Sequence, residues 1–535
     1  MSKENSNINQ ILDSAYKALK IKKFQDAKNF FKKAITIDDK IPEVHNNLGM
    51  VYINLNDYEQ AINCFTNAIK LRPKFSVAFC NLGMAYSKTR NFQLAEENYK
   101  KSIFFDKKNI IAHFNLGNLY QDYNDLSNAE KNYKSVLKLK PDMLQAYKNL
   151  FFIYQRSNQS KKLKEIQGRA KSNLGNHFIV DFFQGVCDFE NKSFQAVIKN
   201  FQKLKIDEKE VRVITIKNEL LAKCYDFNGE YNKSFEYFVK ANNSIFKIFK
   251  KKYKKENYLN LINKRIEFYS KFNIKKWNLN LSEQNDPIFL IGFPRSGTTL
   301  LDTILRTHNL IEVIEEKPIV EEFIDSLNIK TNNNFSNLEK IDKNFYDQMR
   351  NVYFKKRDKF VKFDKNKVYI DKLPLNLIFI GEICRFFPNA KFIFALRNPY
   401  DVILSCFMQQ FAPNNAMMNF TNLDDATKLY DLSMSLYKKY YNLFKSNIHE
   451  IKYEDVVLDF DNTIKKLLKF LNLEWQEELK NFYETASKRG IISTPSYNQV
   501  SQPIYKKSIN RWKNYENKFK DIEPKLNKWL DEFSY

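Results

Sequence analysis

The sequence is poor in the side chains that bind transition metals or build disulfide frameworks. Its 535 residues include only five histidines and six cysteines, which are Cys64, Cys80, Cys187, Cys224, Cys384 and Cys406. No two cysteines form a CxxC pair, and none lies at metal-ligand spacing from a histidine. We therefore expect reduced, mostly buried thiols in a reducing compartment, and no bound metal.

The sequence also lacks the apolar segments that direct a chain into or across a membrane. Its first ten residues, MSKENSNINQ, are polar and contain no apolar core of a signal peptide. No stretch reaches the roughly 18 uninterrupted apolar residues that indicate a membrane span. These absences predict a cytoplasmic protein without a membrane span.

Acidic residues are too few to balance the basic ones. Lysine and arginine number 87 against 62 aspartates and glutamates, a formal net charge of +25. Such an excess favours anionic partners such as nucleotide phosphates, acidic polymers or anionic membranes. Because the lysines are scattered over the whole length, a coding bias that places lysine on solvated faces explains most of the surplus equally well.

A 34-residue repeat organises the first half of the sequence. Glycine and alanine recur where two helices must approach closely, and leucine and aromatic residues recur where they fill the space between helices. The recurring residues are Leu48-Gly49, Leu82-Gly83 and Leu116-Gly117; Tyr52, Tyr86, Tyr120 and Tyr154; Ala61, Ala95 and Ala129; and Phe65, Tyr99 and Tyr133. The pattern is typical of stacked helix–turn–helix units.

These columns resemble the tetratricopeptide repeat family, and the resemblance implies an α-solenoid over residues 1–245. We count about seven units, with the first and the later ones degraded, as capping repeats usually are. Asn47, Asn81 and Asn115 precede the Leu-Gly pairs and should line up along the inner helices. In some members of the family such a ladder grips an extended peptide. The alternative is a set of polar repeat positions without a ligand.

A basic segment joins the repeats to the second half of the chain. We assign residues 246–285 to a helical linker, because apolar positions recur at three- and four-residue spacing over residues 247–272. This spacing favours packing between domains. The run KKKYKK at 250–255 leaves a membrane-surface or nucleic-acid role as the alternative, although we expect no nucleic-acid partner.

The second half opens with a strand, a loop and a helix suited to phosphate binding. PIFLIG at 287–292 is typical of a buried parallel strand, and LLDTILRTH at 300–308 places its leucines on one helical face. The loop between them, FPRSGTT, directs backbone N–H groups and a helix N-terminus at a phosphate. An ATPase loop would carry lysine after its second glycine. Here Thr298 occupies that position, and the cation is Arg295.

A second strand and helix suited to anion binding follow about a hundred residues later. KFIFAL at 391–396 predicts another buried strand with Arg397 at its carboxyl end. Asn398-Pro399 predicts a helix start, and Ser405 lies within that helix. An arginine at the carboxyl end of a strand, together with a hydroxyl on the adjoining helix, can clamp a second phosphate.

Together these two units resemble the sulfotransferases that use 3′-phosphoadenosine 5′-phosphosulfate as the donor. The resemblance implies an α/β P-loop-like domain with a mostly parallel central sheet over residues 286–535. It places the donor's 3′-phosphate on Arg397 and Ser405. It places the 5′-phosphosulfate on the loop residues Arg295, Ser296, Gly297, Thr298 and Thr299.

The same resemblance implies catalytic residues, on motifs closest to those of the protein-tyrosine sulfotransferases. The family's general base is the second acid of a Gly-Glu-Glu turn and corresponds to Glu316. Ile314 replaces the glycine, so two alternatives stay open: Glu315 is the base, or both acids are merely solvated. Lys372 corresponds to the lysine that touches the transferring group and the bridging oxygen. Ser496 would assist at the sulfuryl end.

Two late segments supply the remaining nucleotide contacts that the resemblance implies. A Tyr-Glu pair after a late strand places Tyr453 near the nucleotide, although a core aromatic would look the same in the sequence. STPSYNQVSQPIYKKSINRWKNY at 493–515 keeps the order of the family's C-terminal nucleotide segment. In it, Lys506, Ser508 and Arg511 suit the 3′-phosphate or the adenosine.

The residues therefore predict metal-independent transfer of a sulfuryl group from 3′-phosphoadenosine 5′-phosphosulfate to an acceptor hydroxyl. The acceptor stays open: a peptide or protein tyrosine presented by the repeats, or a hydroxyl of a glycan or lipid. A repeat scaffold that binds nucleotide without catalysis is the alternative from another functional class. A decayed site should have lost one of its intact residues, which are Arg295, Glu316, Lys372, Arg397 and Ser405.

Overall fold

The structure is a computed structural model of the chain. It describes residues 2–123, 125–157, 159–274, 277, 286–488 and 500–535. The chain forms two compact units, residues 1–192 and 193–535. The boundaries predicted at residues 245 and 285 were drawn between types of sequence pattern, not between compact units. They stay a prediction.

The first unit is built of helices, each of which packs against the next along the chain. The helices are α1 (Ser2–Lys20), α2 (Phe24–Ile37), α3 (Pro42–Asn54), α4 (Tyr58–Leu71), α5 (Ser76–Lys88), α6 (Phe92–Phe105), α7 (Ile110–Asp122), α8 (Leu126–Leu139), α9 (Leu144–Arg156), α10 (Ser160–Leu174) and α11 (Phe178–Glu190). Stacking of helical hairpins in sequence order produces a solenoid. The predicted α-solenoid is therefore confirmed.

The glycine and aromatic columns of the repeat meet where the two helices of a hairpin cross. A Cβ atom added to Gly117 would lie 2.7 Å from Cε1 of the buried Tyr133, and one added to Gly49 would lie 2.5 Å from Cε1 of Phe65. These distances are shorter than any normal contact between carbon atoms, so a side chain at either position would displace the ring. The glycine column of the repeat is thus explained by close packing of the two helices.

This packing predicts that Gly117→Ala destabilises the repeats by about 1–3 kcal/mol, because the added methyl group overpacks the ring of Tyr133. Gly168 provides the matched control, since it lies within α10 and its Cβ would enter open space. Gly168→Ala is expected to be neutral, or to stabilise by up to about 1 kcal/mol. Urea unfolding followed by circular dichroism measures both variants, and equal effects would contradict this explanation of the glycine column.

The predicted asparagine column makes hydrogen bonds between successive repeats. Asn81 Nδ2 donates to Oδ1 of Asn46 at 2.9 Å, and Asn47 Nδ2 donates to the hydroxyl of Tyr16 at 3.1 Å. These asparagines therefore have a structural use whether or not a peptide is present. Peptide binding by the column stays a prediction.

Four helices open the second unit: α12 (Phe194–Lys203), α13 (Val211–Phe227), α14 (Tyr231–Phe249) and α15 (Lys255–Ser270). In chain order, α1 to α14 make seven pairs, the number predicted from the repeats. The linker expected to be one helix over residues 247–272 is interrupted, because α14 ends at Phe249, just before the run KKKYKK, and α15 begins at Lys255, its last residue. Most of that run is the turn between the two helices.

The remainder of the second unit alternates strands with helices. Its elements are β1 (Ile288–Gly292), α16 (Thr298–Thr307), β2 (Ile311–Glu315), α17 (Ile319–Thr331), α18 (Lys343–Arg357), β3 (Val368–Lys372), α19 (Ile380–Phe386), β4 (Lys391–Leu396), α20 (Pro399–Phe407), α21 (Leu423–Phe444), β5 (Ile448–Lys452), α22 (Tyr453–Leu458), α23 (Phe460–Leu471), α24 (Phe482–Lys488) and α25 (Glu523–Glu532). Short 3-10 helices include Pro374–Phe379, Met417–Thr421 and Arg511–Lys518.

The five strands form one sheet in the order β2-β3-β1-β4-β5, and every neighbouring pair is parallel. Both faces of the central strand β1 are covered: Phe289 and Ile291 belong to one apolar core, and Leu290 belongs to the other. A continuous apolar sequence is the normal signature of such a doubly covered parallel strand. The predicted α/β domain with a mostly parallel sheet is confirmed.

Helices α14 and α15 pack within the same core as the sheet. Phe238 on α14 and Ile262 on α15 are buried in the apolar cluster on one face of the sheet. Asn242 Nδ2 donates to the carbonyl oxygen of Phe407 at 2.9 Å, and the hydroxyls of Ser234 and Tyr515 lie 2.9 Å apart. The last repeat helix and the linker helix are therefore structural parts of the second unit.

All six cysteines are free and buried, as expected from their spacing. Burial raises the pKa of the Cys64 thiol to about 11, which keeps it protonated at neutral pH. Within the described ranges, no helix combines the length and the apolar character that crossing a membrane requires.

Candidate active site

The parallel arrangement of the strands brings their carboxyl ends to one edge of the sheet, where ligands bind in open α/β folds. Gly292 is paired in register with Ala395, and Glu315 with Lys372. Most of the predicted site residues follow directly after these strands. They are the loop after β1, Glu316 after β2, Lys372 at the end of β3, Arg397 after β4 and Tyr453 after β5.

The loop after β1 turns sharply into α16. Arg295 and Gly297 both have left-handed backbones, with φ values of 70° and 100°. A Cβ atom on Gly297 would lie 2.9 Å from Cδ2 of Tyr453, so glycine is required there for space as well as for conformation. The turn leaves Thr298 and Thr299 buried at the start of α16. The first N–H groups of a helix have no partner within the helix, and they bind anions well.

Two arginines, two serines and a tyrosine from four separate parts of the chain meet beside this loop. Arg295 Nε donates to Ser405 Oγ at 3.0 Å. Arg397 donates to the carbonyl oxygen of Arg295 at 3.3 Å and to that of Ser508 at 2.6 Å. Its guanidinium carbon lies 4.7 Å from the centre of the Tyr453 ring. The structure thus assembles five of the predicted nucleotide contacts at one place.

The buried cation of Arg397 has one carboxylate near it: Asp401 Oδ2 lies 4.0 Å from its Nη2 but also accepts two backbone hydrogen bonds. Burial, reinforced by the neighbouring cation of Arg397, lowers the pKa of Arg295 to about 10. Arg397 is itself buried, and its Nε has no hydrogen-bond partner in the described part of the chain. An anionic ligand between the two would offset the cost of burying both cations and would supply the missing acceptor. The residues present therefore fit a phosphorylated ligand.

A small cavity of about 20 Å³ lies beside Arg397. Its lining residues are Arg397, Asp401, Leu404, Ser405, Ser508 and Arg511. Four of these six were predicted to contact the 3′-phosphate or the adenosine. The cavity is the place where the structure brings Ser405 and Arg511 together.

Two acids that the sequence analysis missed hold the C-terminal segment in position. Asp401 accepts hydrogen bonds from the backbone N–H groups of Asn510 and Trp512, at 2.7 and 2.9 Å. Asp226, on α13, pairs with Arg511 at 2.7 Å. Asp401 lies four residues after Arg397, so its position in the sequence could have identified it as a neighbour of the site. Asp226 lies in the repeat region, and nothing in the sequence links it to the site.

A larger cavity, of about 610 Å³, extends along the carboxyl edge of the sheet. This volume is within the usual range for sites that bind small molecules. The predicted site residues that line it are Arg295, Gly297, Thr298, Thr299, Glu316, Arg397, Tyr453 and Ser508. Further lining residues come from helices α15 and α17, from the segment after β3 and from residues 411–417.

Lys372 and two glutamates form a charged cluster at this cavity. Lys372 Nζ lies 2.9 Å from Glu316 Oε1 and 3.3 Å from Glu315 Oε1. The lysine side chain is completely buried, Glu315 is 12% exposed and Glu316 is 38% exposed. Glu316 lines the cavity, whereas Glu315 does not. Burial lowers the pKa of Lys372, but the facing carboxylates outweigh it and raise the pKa overall, so the lysine stays protonated.

The missing glycine of the Gly-Glu-Glu pattern does not disturb the turn after β2. Ile314 lies inside β2, paired in register with Asp371, and has no need of glycine's freedom. The residue with the left-handed backbone is Glu316, with φ of 49°. Its N–H donates to the carbonyl oxygen of Lys372 at 2.8 Å. This bond fixes Glu316 next to the end of β3.

Of the predicted residues that the structure describes, three line neither cavity: Lys372, Ser296 and Lys506. Ser496 lies outside the described residues. Lys506 is exposed and lines neither cavity among those that the described residues form. Ser296 is buried, and its Oγ has no hydrogen-bond partner in the described chain. A Cβ atom added to Gly292 would lie 2.7 Å from this Oγ. The parts assigned to Ser496 and Lys506 stay predictions.

Asp371, beside Lys372 on β3, is a buried carboxyl group that the sequence analysis missed. The hydroxyl of Tyr353 donates to its Oδ2 at 3.2 Å, and Oδ1 has no partner in the described structure. Burial raises the pKa of Asp371 to about 7, although the hydrogen bond from Tyr353 opposes the shift. The carboxyl therefore titrates near neutral pH in the folded protein.

We predict that Asp371→Asn becomes increasingly stabilising, relative to the native chain, as the pH rises from about 4 to about 7. In this window the folded chain keeps a proton that the unfolded chain has released, so the native carboxyl loses stability with rising pH. The amide cannot titrate and avoids this loss. Melting temperatures between pH 4 and pH 8 measure the difference, with the exposed Asp347→Asn as the control. A difference that does not change with pH would contradict the prediction.

Within the described residues, no group of three or more histidine, cysteine, aspartate or glutamate side chains is placed to hold a metal ion. Metal-independent activity stays a prediction.

Three models of two protein families match the sequence. Residues 287–477 match the sulfotransferase family. Residues 42–75, and residues 77–109 and 110–143, match two models of the tetratricopeptide repeat. These ranges contain the two strand–loop–helix units and three of the helical hairpins described above.

Curated relatives are distant. An uncharacterized protein of Aquifex aeolicus is 26% identical over 306 residues, which are 56% of this chain and 39% of that protein. Protein-tyrosine sulfotransferase 2 of Gallus gallus is 23% identical over 43% of this chain and 64% of its own length. Protein-tyrosine sulfotransferase 1 of Homo sapiens is 24% identical over 42% and 62%, respectively. The chain thus spans less than two thirds of the length of these relatives.

Proposed function

Because the chain belongs to the sulfotransferase family over residues 287–477 and carries tetratricopeptide repeats ahead of them, we propose that it is a sulfotransferase using 3′-phosphoadenosine 5′-phosphosulfate. The observation that carries this proposal is that two arginines and an acid–lysine pair meet at one sheet edge. Arg295, Arg397 and Glu316 line the cavity, and the buried Lys372 lies behind Glu316 at 2.9 Å.

The donor, when bound, supplies an activated sulfuryl group and a phosphate that leaves with the nucleotide. Arg295, Thr298 and Thr299 would hold its 5′-phosphosulfate, at the start of α16. Arg397, Ser405 and the small cavity beside them would hold its 3′-phosphate. The unpartnered Nε of the buried Arg397 supports this assignment, because it needs an acceptor that the described residues do not provide.

Glu316 is the proposed general base. Its carboxylate lines the cavity and lies 2.9 Å from Lys372 Nζ, so it is placed to accept the proton of an acceptor hydroxyl. When Glu316 becomes protonated, its attraction for the lysine weakens. Lys372 then directs its charge toward the transferring group and the leaving phosphate oxygen, where negative charge develops. The ion pair thus couples proton removal to charge stabilisation.

Protein tyrosine is the proposed acceptor, since the named relatives are protein-tyrosine sulfotransferases. The cavity's volume of about 610 Å³ suits a nucleotide, and its apolar lining residues suit a phenolic side chain. The free, buried cysteines favour a reducing compartment, and the cytoplasm is the proposed location.

The experiment is transfer of labelled sulfate from the donor to a panel of tyrosyl peptides, glycans and lipids. We expect label on tyrosine, at a rate unchanged by a chelator. Label on glycan or lipid alone would overturn the tyrosine assignment, and no transfer to any acceptor would overturn the enzyme assignment.

A shortened chain would show whether the repeats select the acceptor. Beginning the chain near residue 246 would remove most of α14, whose Phe238 packs in the core of the second unit. A chain beginning at residue 193 keeps that core. It is the better comparison with the full chain.

A further inference from the structure

Part of the larger cavity is lined by residues that follow β2 and β3, which lie on the other side of β1 from β4 and Arg397, together with residues of α15 and of 411–417. We name this part the acceptor arm and define it by its lining residues Tyr258, Leu261, Pro318, Glu321, Ile324, Asp325, Asn328, Leu375, Asn376, Phe379, Phe411, Asn414, Asn415, Ala416 and Met417. It begins at the proposed base. An acceptor hydroxyl that reaches Glu316 therefore has the rest of its molecule in this arm.

One side of the acceptor arm is a single face of α17. Pro318, Glu321, Asp325 and Asn328 follow one another at three- and four-residue intervals, the spacing that places side chains above one another on a helix. Ten residues of helix rise about 15 Å, so this face runs roughly 15 Å from the turn that carries Glu316. Two of its side chains are carboxylates.

The opposite walls are mainly apolar. Leu261 on α15 and Phe379, Phe411 and Met417 from other segments line them. Aromatic and aliphatic walls suit the ring of a phenol and the methylene groups of long side chains. These walls provide no charge to balance the carboxylates of α17.

Charge is therefore divided between the two ends of the cavity. Among the described residues that line it, the cations are Arg295 and Arg397, both at the nucleotide end. The carboxylates beyond Glu316 are Glu321 and Asp325, and neither has an ion-pair partner in the described part of the chain. A ligand that fills the arm meets these two carboxylates on the α17 side.

A buried amide provides an independent sign of a ligand. Asn376 follows Lys372 in the 3-10 helix Pro374–Phe379, is 2% exposed and lines the cavity. Its Nδ2 has no hydrogen-bond partner in the described structure. A buried donor without an acceptor is destabilising, so such groups in native proteins normally serve a ligand or an ordered water. An oxygen atom of the acceptor is a suitable partner.

From these observations we propose that the acceptor arm selects hydroxyl acceptors that carry an ammonium or guanidinium group near the reacting hydroxyl. A tyrosyl peptide with neighbouring lysine or arginine is the acceptor class that this chemistry favours. The proposal rests on the proposed function, because it takes Glu316 as the point where the hydroxyl is deprotonated. Asn376 would position the acceptor by donating to one of its oxygens.

The exposed lysines of the turn between α14 and α15 would favour the opposite class. The N–H of Lys254 donates to Oδ1 of Asn415, which lines the arm, although the lysine side chains of this turn do not. If these lysines selected the acceptor, peptides with acidic neighbours would bind better. The two alternatives therefore predict opposite charge preferences among peptides in one binding experiment.

The experiment measures equilibrium binding of short tyrosyl peptides, flanked by lysine, glutamine or glutamate, to the full chain saturated with adenosine 3′,5′-bisphosphate. We expect the lysine-flanked peptide to bind about tenfold more tightly than the glutamate-flanked one at low salt, and the preference to shrink as salt screens the exposed carboxylates. The double variant E321Q/D325N should abolish the preference and leave bisphosphate affinity unchanged.

Glu322→Gln is the matched control, because Glu322 lies on the same helix but pairs with Lys356 and does not line the cavity. It should keep the preference. Asn376→Leu should weaken all three peptides by a similar factor. A preference for the glutamate-flanked peptide, or one that survives in E321Q/D325N, would overturn the proposal.

Sulfate transfer to the same peptides separates this proposal from the proposed function. A lysine preference in binding without any transfer would contradict the function and support the acceptor arm. Transfer without a charge preference would support the proposed function and contradict the proposed selectivity of the acceptor arm.

Discussion

Replacing Glu316 with glutamine is expected to reduce sulfuryl transfer by about 10²–10⁴-fold, the usual contribution of a positioned general base. Glutamine keeps the shape of the side chain but cannot accept the acceptor's proton. Lys372 retains Glu315 as a partner, so the buried cation is not left unpaired and the fold should persist. Initial rates of labelled sulfate transfer measure the loss. Calorimetry with adenosine 3′,5′-bisphosphate should show nearly unchanged affinity.

Glu315→Gln is the control, since Glu315 contacts the same lysine but does not line the cavity. It removes one of the two carboxylates that hold Lys372, so a smaller loss is expected. A loss as large as that of Glu316→Gln, or larger, would move the base to Glu315.

Replacing Arg397 with alanine is expected to weaken binding of adenosine 3′,5′-bisphosphate by about 10²–10³-fold, because charge-assisted hydrogen bonds from arginine to phosphate are among the strongest in proteins. Arg397→Lys should recover only part of the affinity, since lysine keeps the charge and loses the planar fork. Calorimetry measures all three proteins. Circular dichroism checks that the variants fold, because Arg397 also bonds to Arg295 and Ser508.

Lys506→Ala tests whether Lys506 contacts the nucleotide, as the family resemblance implies. Lys506 is exposed and lines neither cavity of the described chain, so its replacement should change bisphosphate affinity little. An effect as large as that of Arg397→Ala would contradict the arrangement described and favour the contact implied by the resemblance.

Local patterns in the sequence were sufficient for the repeats and for the two anion-binding units. A doubly covered strand must be continuously apolar, as Ile288–Gly292 is, and the loop after it must turn sharply, as Gly297 does. Asn398 accepts hydrogen bonds from the N–H groups of Tyr400 and Asp401, and Pro399 takes the first turn of α20, as predicted. In each case the physical constraint acts on neighbouring residues.

Contacts between distant segments could not be predicted in the same way. The pairing of Glu316 with Lys372 depends on β2 lying next to β3, an order of strands that no local pattern specifies. The bond between Asp226 and Arg511 joins a repeat helix to the C-terminal segment. The missing partner of Asn376 is visible only when its surroundings are known.

The central claim is that the larger cavity and the small cavity beside Arg397 together hold one nucleotide with phosphates at two separate places. Calorimetry of the full chain in the presence of a chelator tests this claim most directly. We predict that adenosine 3′,5′-bisphosphate binds with one molecule per chain, and that adenosine 5′-monophosphate, which lacks the 3′-phosphate, binds far more weakly. Equal affinities would contradict the role of Arg397. No uptake of the bisphosphate by the folded protein would contradict the whole account.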